Sequence, residues 1–258
     1  MPFLKKLALF FIGGFLGLFL SLFILGQAMD KTVFSADFYD AEFEKYGMYD
    51  FMLEQMTPPD ASQETLESFE KYYTKDWLRG QFSGNLQNIF AYLKGESDEL
   101  VLGYSLVEIK ERMLEDNPTA DLSGIPDRTE NAALPNQELV ESFRAVFILF
   151  YRFSGLALPL AGACIVLVFA VSRDAVFTAR RVGRSVMNTG LSFVVLYYAS
   201  AYLPSGGMPA AGGLSLEVVA PIMADALLPF RAYGFWFAGI GAVVYALAIA
   251  AGRHRGNQ

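Results

Sequence analysis

The residue types that carry most protein chemistry are scarce in this chain. There is one histidine, His254, in the terminal RHRGNQ, and one cysteine, Cys164, in an apolar run. A catalytic or metal-bound histidine needs neighbours that hold its ring. A basic tail does not supply them, so His254 reads as part of a solvated tail. One residue of each type cannot build a Cys/His metal set, a Ser-His-Asp triad or a Cys-His pair. Carboxylates are plentiful instead, in three clusters: Asp37, Asp40, Glu42 and Glu44; Glu96, Asp98 and Glu99; Glu115 and Asp116. Such oxygens suit Ca²⁺ or paired-carboxylate hydrolysis. Yet no EF-hand loop with its sixth-position glycine is present, and no spacing supports a hydrolase. The acids read as a solvated face that keeps a domain away from anionic headgroups. Neither GxxxxGK[ST] nor a strand-linked GxGxxG occurs, so no nucleotide, metal or other cofactor is expected.

A second set of residues stands out because its surroundings are apolar. Arg152 interrupts an apolar run, and an intramembrane charge is a functional hypothesis by default. The competing reading puts it at the outer interface, where its side chain snorkels. Asn188, with Thr189 and Ser192, could line a polar path or hydrogen-bond to neighbouring helices. The segment SRDAVFTARRVGRS carries Arg173, Arg180, Arg181 and Arg184 against Asp174. Four arginines beside apolar runs are explained first by membrane topology, second by contact with phosphate headgroups, and not by nucleic acid. Small residues recur at intervals of four: Gly13 and Gly17, Ala157 and Ala161, then Gly234, Ala238, Ala242, Ala246 and Ala250. Small faces let helices approach closely in lipid. The last set is expected to pack against another helix, either the first span through Gly13 and Gly17 or the same helix of a second copy. Phe237, Val244 and Leu247 are expected to face lipid.

The elements that position these residues follow from length, charge and hydropathy. The chain has 258 residues, 53% hydrophobic and 18% charged, more apolar and less charged than an ordinary soluble domain. The net charge of −7 conceals a split. Residues 28–143 hold 24 acids against 9 bases, a net −15, and the rest holds 3 acids against 11 bases, a net +8. Four apolar runs, 7–27, 145–171, 186–203 and 232–251, have lengths near the roughly 20 residues that cross a bilayer. The third is the weakest. For the first, a cleaved signal peptide ending at Gly26-Gln27-Ala28 competes with a retained anchor. Its apolar run is longer than a signal core of about 7–15 residues, which favours the anchor. With four spans, Lys5 and Lys6, the 173–184 segment, and Arg253 with Arg255 all fall on one side. The positive-inside tendency makes that side cytoplasmic and puts residues 28–143 outside.

The outer block reads as helical. Apolar residues at three- and four-residue steps predict helices over 37–56, 61–73, 75–94 and 106–116. Pro58-Pro59 ends the first. Thr74 caps the third, and Gly95 terminates it. Residues 100–106 could be extended, and Ser105 with Glu108 has capping-box spacing. Residues 117–136 read as loop, and Asn136 can cap a helix running into the second span. The stretch 204–213 reads as a flexible turn, followed within 214–229 by a short interfacial helix or, alternatively, a re-entrant segment.

The stretches FYDAEFEKYGMYDFMLEQM, DWLRGQFSGNLQNIFAYLKGESDEL and SLVEIKERM, within residues 38–114, resemble a group of uncharacterised prokaryotic integral membrane proteins. That group has one N-terminal span, an extracytoplasmic helical segment with FY…Y-D and YLKGESDEL-like elements, and a C-terminal membrane bundle. The resemblance implies topology and no activity. The layout is also similar to ABC permeases of the cell-division and lipoprotein-release type and to claudin-like four-span proteins. It departs from the former in its short N-terminal segment. It departs from the latter in lacking the outer cysteine pair and the W-x-x-W-type signature.

The expectation is therefore an all-α polytopic membrane protein with four transmembrane helices. Its parts are an N-terminal transmembrane helix (1–27), an acidic helical extracytoplasmic domain (28–143), and a three-helix transmembrane region with a basic cytoplasmic loop and tail (144–258). The expected role is non-catalytic, by binding or assembly through the outer domain. Alternatives are a transport or mechanotransmission subunit partnered by a separate ATPase, and a membrane-embedded hydrolase. Expected partners are the lipid bilayer and other membrane subunits or a second copy, not nucleic acid.

Overall fold

A computed structural model describes residues 3–57, 62–129, 137–200 and 216–256. The described helices are α1 (Phe3–Lys31), α2 (Ala36–Lys45), α3 (Met48–Met56), α4 (Gln63–Tyr72), α5 (Lys75–Lys94), α6 (Val107–Asp116), α7 (Gln137–Ser172), α8 (Ala175–Ser200), α9 (Leu216–Ala226) and α10 (Leu228–Gly256). Among the described residues there is no strand, only an isolated antiparallel bridge between Ser105 and Arg128. The expected roles of Pro58-Pro59, Asn136 and the 204–213 turn lie outside the described residues.

Among the described residues, three stretches are long and apolar enough to cross a membrane: Phe3–Lys31, Val140–Ser172 and Ala220–His254. Helix α8, which holds the expected third span, is not among them. Its first half carries Arg180, Arg181 and Arg184, which dilute its apolar run. Two compact units divide the chain, one of Met1–Val33 with Leu149–Gln258, the other of Phe34–Ile148. Each is described by itself.

In the first unit, α1 buries Leu16, Leu20, Ile24 and Ala28 along one face. Leu16 and Leu20 pack with Ala161 and Cys164 of α7. Ile24 and Ala28 pack with Phe193 of α8 and Phe230 of α10. The opposite surfaces are apolar and exposed, with Phe10, Phe15, Val166, Trp236 and Leu247 each more than half exposed. Such surfaces suit hydrocarbon, where helices satisfy their own backbone bonds. Leu227 separates α9 from α10, and Pro229, in the first turn of α10, lacks the N–H that would continue the α9 hydrogen bonding.

The segment expected as a basic loop is helical instead. Only Arg173 and Asp174 lie between α7 and α8. Arg173 turns the chain with φ +55°. Asp174 then caps α8, its carboxylate accepting from Val176 N (2.9 Å) and Phe177 N (3.1 Å). An N-cap aspartate satisfies amides that the first turn cannot, so Ala175 onwards joins the helix. Arg180, Arg181 and Arg184 thereby become helix residues at steps of three and four.

The acidic unit is built around α5. Phe43 stacks on Phe82 at 4.7 Å between ring centroids, and the fully buried Tyr49 lies edge-on to both. The helix expected over 37–56 is two helices. Gly47 breaks it with φ +64°, a geometry that a side chain would make costly. Thr74 accepts from Trp77 N at 3.2 Å and caps α5, which ends at Gly95 with φ +77°, as expected. The 105/108 capping box does not form: α6 starts after Leu106 with no side-chain cap. The Ser105 backbone is committed elsewhere, and Glu108 pairs with Arg112 at 2.5 Å.

Residues 101–105 run extended along α5. Asn88 Nδ2 donates to Val101 O (3.0 Å), Gly103 N to Asn85 Oδ1 (3.1 Å), Ser105 N to Gln81 Oε1 (2.6 Å), and Trp77 Nε1 to Ser105 O (2.9 Å). The match is metric. Four helical residues rise about 6 Å, and two extended residues rise about 6.6 Å. Each turn of α5 therefore meets every second residue of the extended segment.

Candidate functional site

The basic residues of α8 stand in a cleft of about 800 Å³ bounded by α1, α8 and α10. Its cationic lining is Arg180, Arg181, Arg184 and Arg253, with Ser185 and Asn188 beside them. Three arginines are fixed by the neighbouring helices. Arg180 Nε donates to Ala248 O at 3.3 Å, and Arg181 Nη2 donates to Leu9 O at 2.6 Å. Arg184 Nη2 donates to the Tyr245 hydroxyl at 2.9 Å, and its guanidinium lies 5.3 Å from that ring's centre. Among the described residues, no carboxylate forms an ion pair with any of the four. The Nε of Arg181 is buried and has no hydrogen-bond partner.

Glycine makes room for these side chains. A Cβ at Gly13 would lie 2.9 Å from Arg181 Nη2. Gly13 and Gly17 were one of the two partners expected for the small face of α10, the other being a second copy. They face α8 instead, Gly13 against Arg181 and Gly17 against Ser185 Oγ, 3.6 Å from where a Cβ would stand. Lys5 Nζ donates to Ser172 O at 3.5 Å. Together with the Arg180 and Arg181 contacts, this brings the start of α1, the start of α8 and the last turns of α10 to one end of the unit.

The small residues of α10 divide. Gly234 is buried and Ala238 half-buried, both against α8 at Gly190. Ala242, Ala246 and Ala250 are exposed. The expected stripe at intervals of four is therefore not the packed seam within this chain. Each step of four turns about 40° past a full rotation, so the stripe from Gly234 to Ala250 winds to the far side. The seam follows seven-residue steps, which drift only about 20°: Gly234, Gly241 and Ala248 on α10, against Gly183 and Gly190 on α8. Of the residues expected to face lipid, Leu247 is exposed, whereas Phe237 is partly buried against the α1 clusters. In α7, Ala157 and Ala161 are buried as a close-packing face requires. Arg152 is exposed on α7, and Asn188 opens into the basic cleft.

In the acidic unit the carboxylates are distributed among bases of the same unit. Asp40 is bound by Arg79 and accepts from the Tyr49 hydroxyl at 2.9 Å. Lys75 bridges Glu44 and Asp50 at 3.1 Å each. Asp116 is 2.5 Å from Lys71 Nζ and accepts from Tyr72. Arg144 reaches Asp98 at 3.1 Å while donating to the carbonyls of Tyr92 (3.1 Å) and Ser97 (2.9 Å) at the end of α5. Cations there also complement the helix dipole. The Arg79 hydrogen bond holds Asp40 below the usual carboxylate range, and Lys71 does the same for Asp116. Burial, then the bond to Asp40, pushes the Tyr49 hydroxyl up. Among the described residues, no three His, Cys, Asp or Glu side chains come together as metal ligands would. Sequence reasoning missed the ladder on α5, although Gln81, Asn85 and Asn88 repeat there at helical spacing. It also missed the cleft, because the arginine segment read as loop.

In comparisons with known proteins, no family model, curated protein or solved structure matches the chain.

Proposed function

We propose that this protein is a non-catalytic integral membrane component with four spans and both termini in the cytoplasm. It acts by binding or assembly through the acidic unit outside. The observation that carries the non-catalytic role is the pairing within that unit. Asp40, Glu44, Asp50, Asp98 and Asp116 are each held by a lysine or arginine of the same unit. They brace helices together instead of converging on a reacting atom, and leave a rigid acidic surface for a partner.

Two further features support the four-span layout. Gly183 and Gly190 of α8 meet Gly241 and Gly234 of α10 in antiparallel order, so α8 lies along an apolar helix for most of its length. The basic ends of α1, α8 and α10 also share one end of their unit, as one cytoplasmic face requires. The transport or mechanotransmission reading is favoured by one feature. Helix α7 is continuous over Gln137–Ser172, and the division between the two units falls inside it.

Membrane-impermeant thiol labelling tests the layout, using single cysteines at Asp60, Arg173 and Arg253 in a Cys164→Ser background. Labelling of 60 from outside, with 173 and 253 protected, is the expected pattern. Labelling of 60 and 173 from the same side sinks the reading. For the role, photo-crosslinkers at exposed outer positions of the full-length protein should capture a partner, and Glu96→Lys with Glu99→Lys should abolish capture. Co-purification of an ATPase that is lost on substituting Arg180–Arg184 would instead favour the transport reading.

A further inference from the structure

We propose that the cleft of Arg180, Arg181, Arg184 and Arg253 binds a phosphate-bearing anion. This inference is independent of any role for the acidic unit. The arginines need a reason to converge. As a topology signal, a positive residue need only lie near the bilayer surface, and mobile side chains in water serve that purpose. These side chains are ordered instead. Arg180 and Arg181 are tied to backbone carbonyls of α10 and α1, and Arg184 to the Tyr245 hydroxyl. Gly13 lacks the side chain that would exclude the Arg181 guanidinium.

Four like charges around one cleft repel one another, and no described carboxylate offsets them. Arg180 and Arg181 are also partly buried, and taking a guanidinium out of water without a counter-charge is costly. A bound anion removes both penalties. Each of the three bonds already made uses one of the five donors on its guanidinium, leaving others for a ligand. The Nε of Arg181 is buried without a partner, so this guanidinium is incompletely satisfied within the protein. The planar arginine fork fits phosphate oxygens in pairs, which is why arginine outranks lysine at such sites.

The dimensions agree with a ligand larger than an ion. The cleft, at about 800 Å³, lies in the range of small-molecule sites. Phe10 and Ile249 add an apolar wall, and Ser185 and Asn188 add hydroxyl and amide groups. A phosphate joined to an apolar or glycerol moiety fits this lining. Two sources share that chemistry, a lipid headgroup and a soluble phosphate compound.

The test uses the full-length protein, delipidated in a neutral detergent. Three probes are compared: phosphatidic acid in phosphatidylcholine nanodiscs, phosphatidylcholine alone, and inorganic pyrophosphate. Binding is read by native mass spectrometry and by the shift in unfolding midpoint. Phosphatidic acid should bind and stabilise while phosphatidylcholine does not. Arg184→Gln combined with Arg253→Gln should weaken binding about tenfold or more. These two side chains are exposed, so the variant should fold. Arg184→Lys keeps the charge but loses the fork, and should fall between parent and Gln variant. Arg181→Gln should weaken binding further if it folds. Stabilisation by phosphatidic acid alone assigns a lipid headgroup. Stabilisation by pyrophosphate as well assigns the phosphate group itself. The proposal is overturned if neither anion binds the parent, or if both bind the Arg184→Gln/Arg253→Gln variant as tightly as the parent.

Discussion

The contact between α8 and α10 is close enough to be tested with single methyl groups. A Cβ at Gly241 would lie 2.7 Å from Gly183 O and closer still to Met187 N. At Gly190 a Cβ would lie 2.5 Å from Gly234 O, and it would also overlap Ala238 N. Ordinary Cβ contacts begin at 3.4 Å, so Gly241→Ala must move the two helices apart by about 1 Å. A gap of 0.5–1 Å forfeits about a quarter to a half of each dispersion contact it opens. In lipid those contacts are the main force between helices. The expected cost is the usual overpacking cost of about 1–3 kcal/mol. Gly190→Ala should cost a similar amount. The double substitution should cost less than the two together, because the seam opened by the first already admits the second. Ala242→Leu is the control. Ala242 is exposed, so the change should stay within about 0.5 kcal/mol, and Leu247→Ala likewise. Unfolding in mixed micelles, followed by circular dichroism against the mole fraction of dodecyl sulfate, measures each difference. The seam reasoning fails if Gly241→Ala unfolds with the parent while Ala242→Leu is destabilised. That outcome would restore the stripe at intervals of four, with a second copy as its partner.

Further outcomes are expected in the acidic unit and at the α7–α8 turn. Asn85→Leu leaves Gly103 N without its acceptor and should cost about 1–3 kcal/mol, read as a lowered midpoint of Trp77 fluorescence in a Trp236→Phe background. Gly95→Ala puts a side chain at φ +77° and against Ile148 at 3.0 Å; it should cost about 1–2 kcal/mol or more, read in the same way. The pH dependence has two limbs. Asp40 has a depressed pKa, so its contribution is present above the ordinary carboxylate value of about 4 and is lost as pH falls through its folded value. Tyr49 has a raised pKa, so its contribution is present below about 10 and is lost as pH rises beyond that. Arg79→Met should remove most of the acid limb, and Tyr49→Phe the alkaline one, in fluorescence midpoints measured across pH. Arg173 adopts φ +55°, where glycine is unstrained, so Arg173→Gly should stabilise the first unit by up to about 1 kcal/mol in the micelle assay.

Much of the local structure was legible because its causes are local. Thr74 and Gly95 mark the two ends of α5 whatever surrounds it, since a cap side chain and a left-handed residue act within one turn. The apolar lengths of α1, α7 and α10 are properties of composition alone. The arginines of 173–184 read as loop because charges beside apolar runs usually mark a membrane boundary, and it is the Asp174 cap in the structure that makes them helical. The break at Gly47 is not legible in the sequence, because the aromatic periodicity across it is helical and a single glycine does not always break a helix.

By itself, the sequence determined that the chain is helical, that it holds segments apolar enough to cross a bilayer, and that its acids and bases are segregated along its length. These follow from side-chain type and period, which need no knowledge of neighbours. Only the tertiary structure decided which faces meet. Gly13 and Gly17 could have served any partner, and it is α8, through Arg181 and Ser185, that occupies them. The small residues of α10 pointed to a seam at intervals of four, whereas the packed one steps by seven. A helix of 3.6 residues per turn brings a seven-residue series back to nearly the same side and rotates a four-residue series away from it. The convergence of Arg180, Arg181, Arg184 and Arg253 on one cleft likewise required α1, α8 and α10 to be placed together. A cluster assembled from three helices has no signature in the spacing of any one of them.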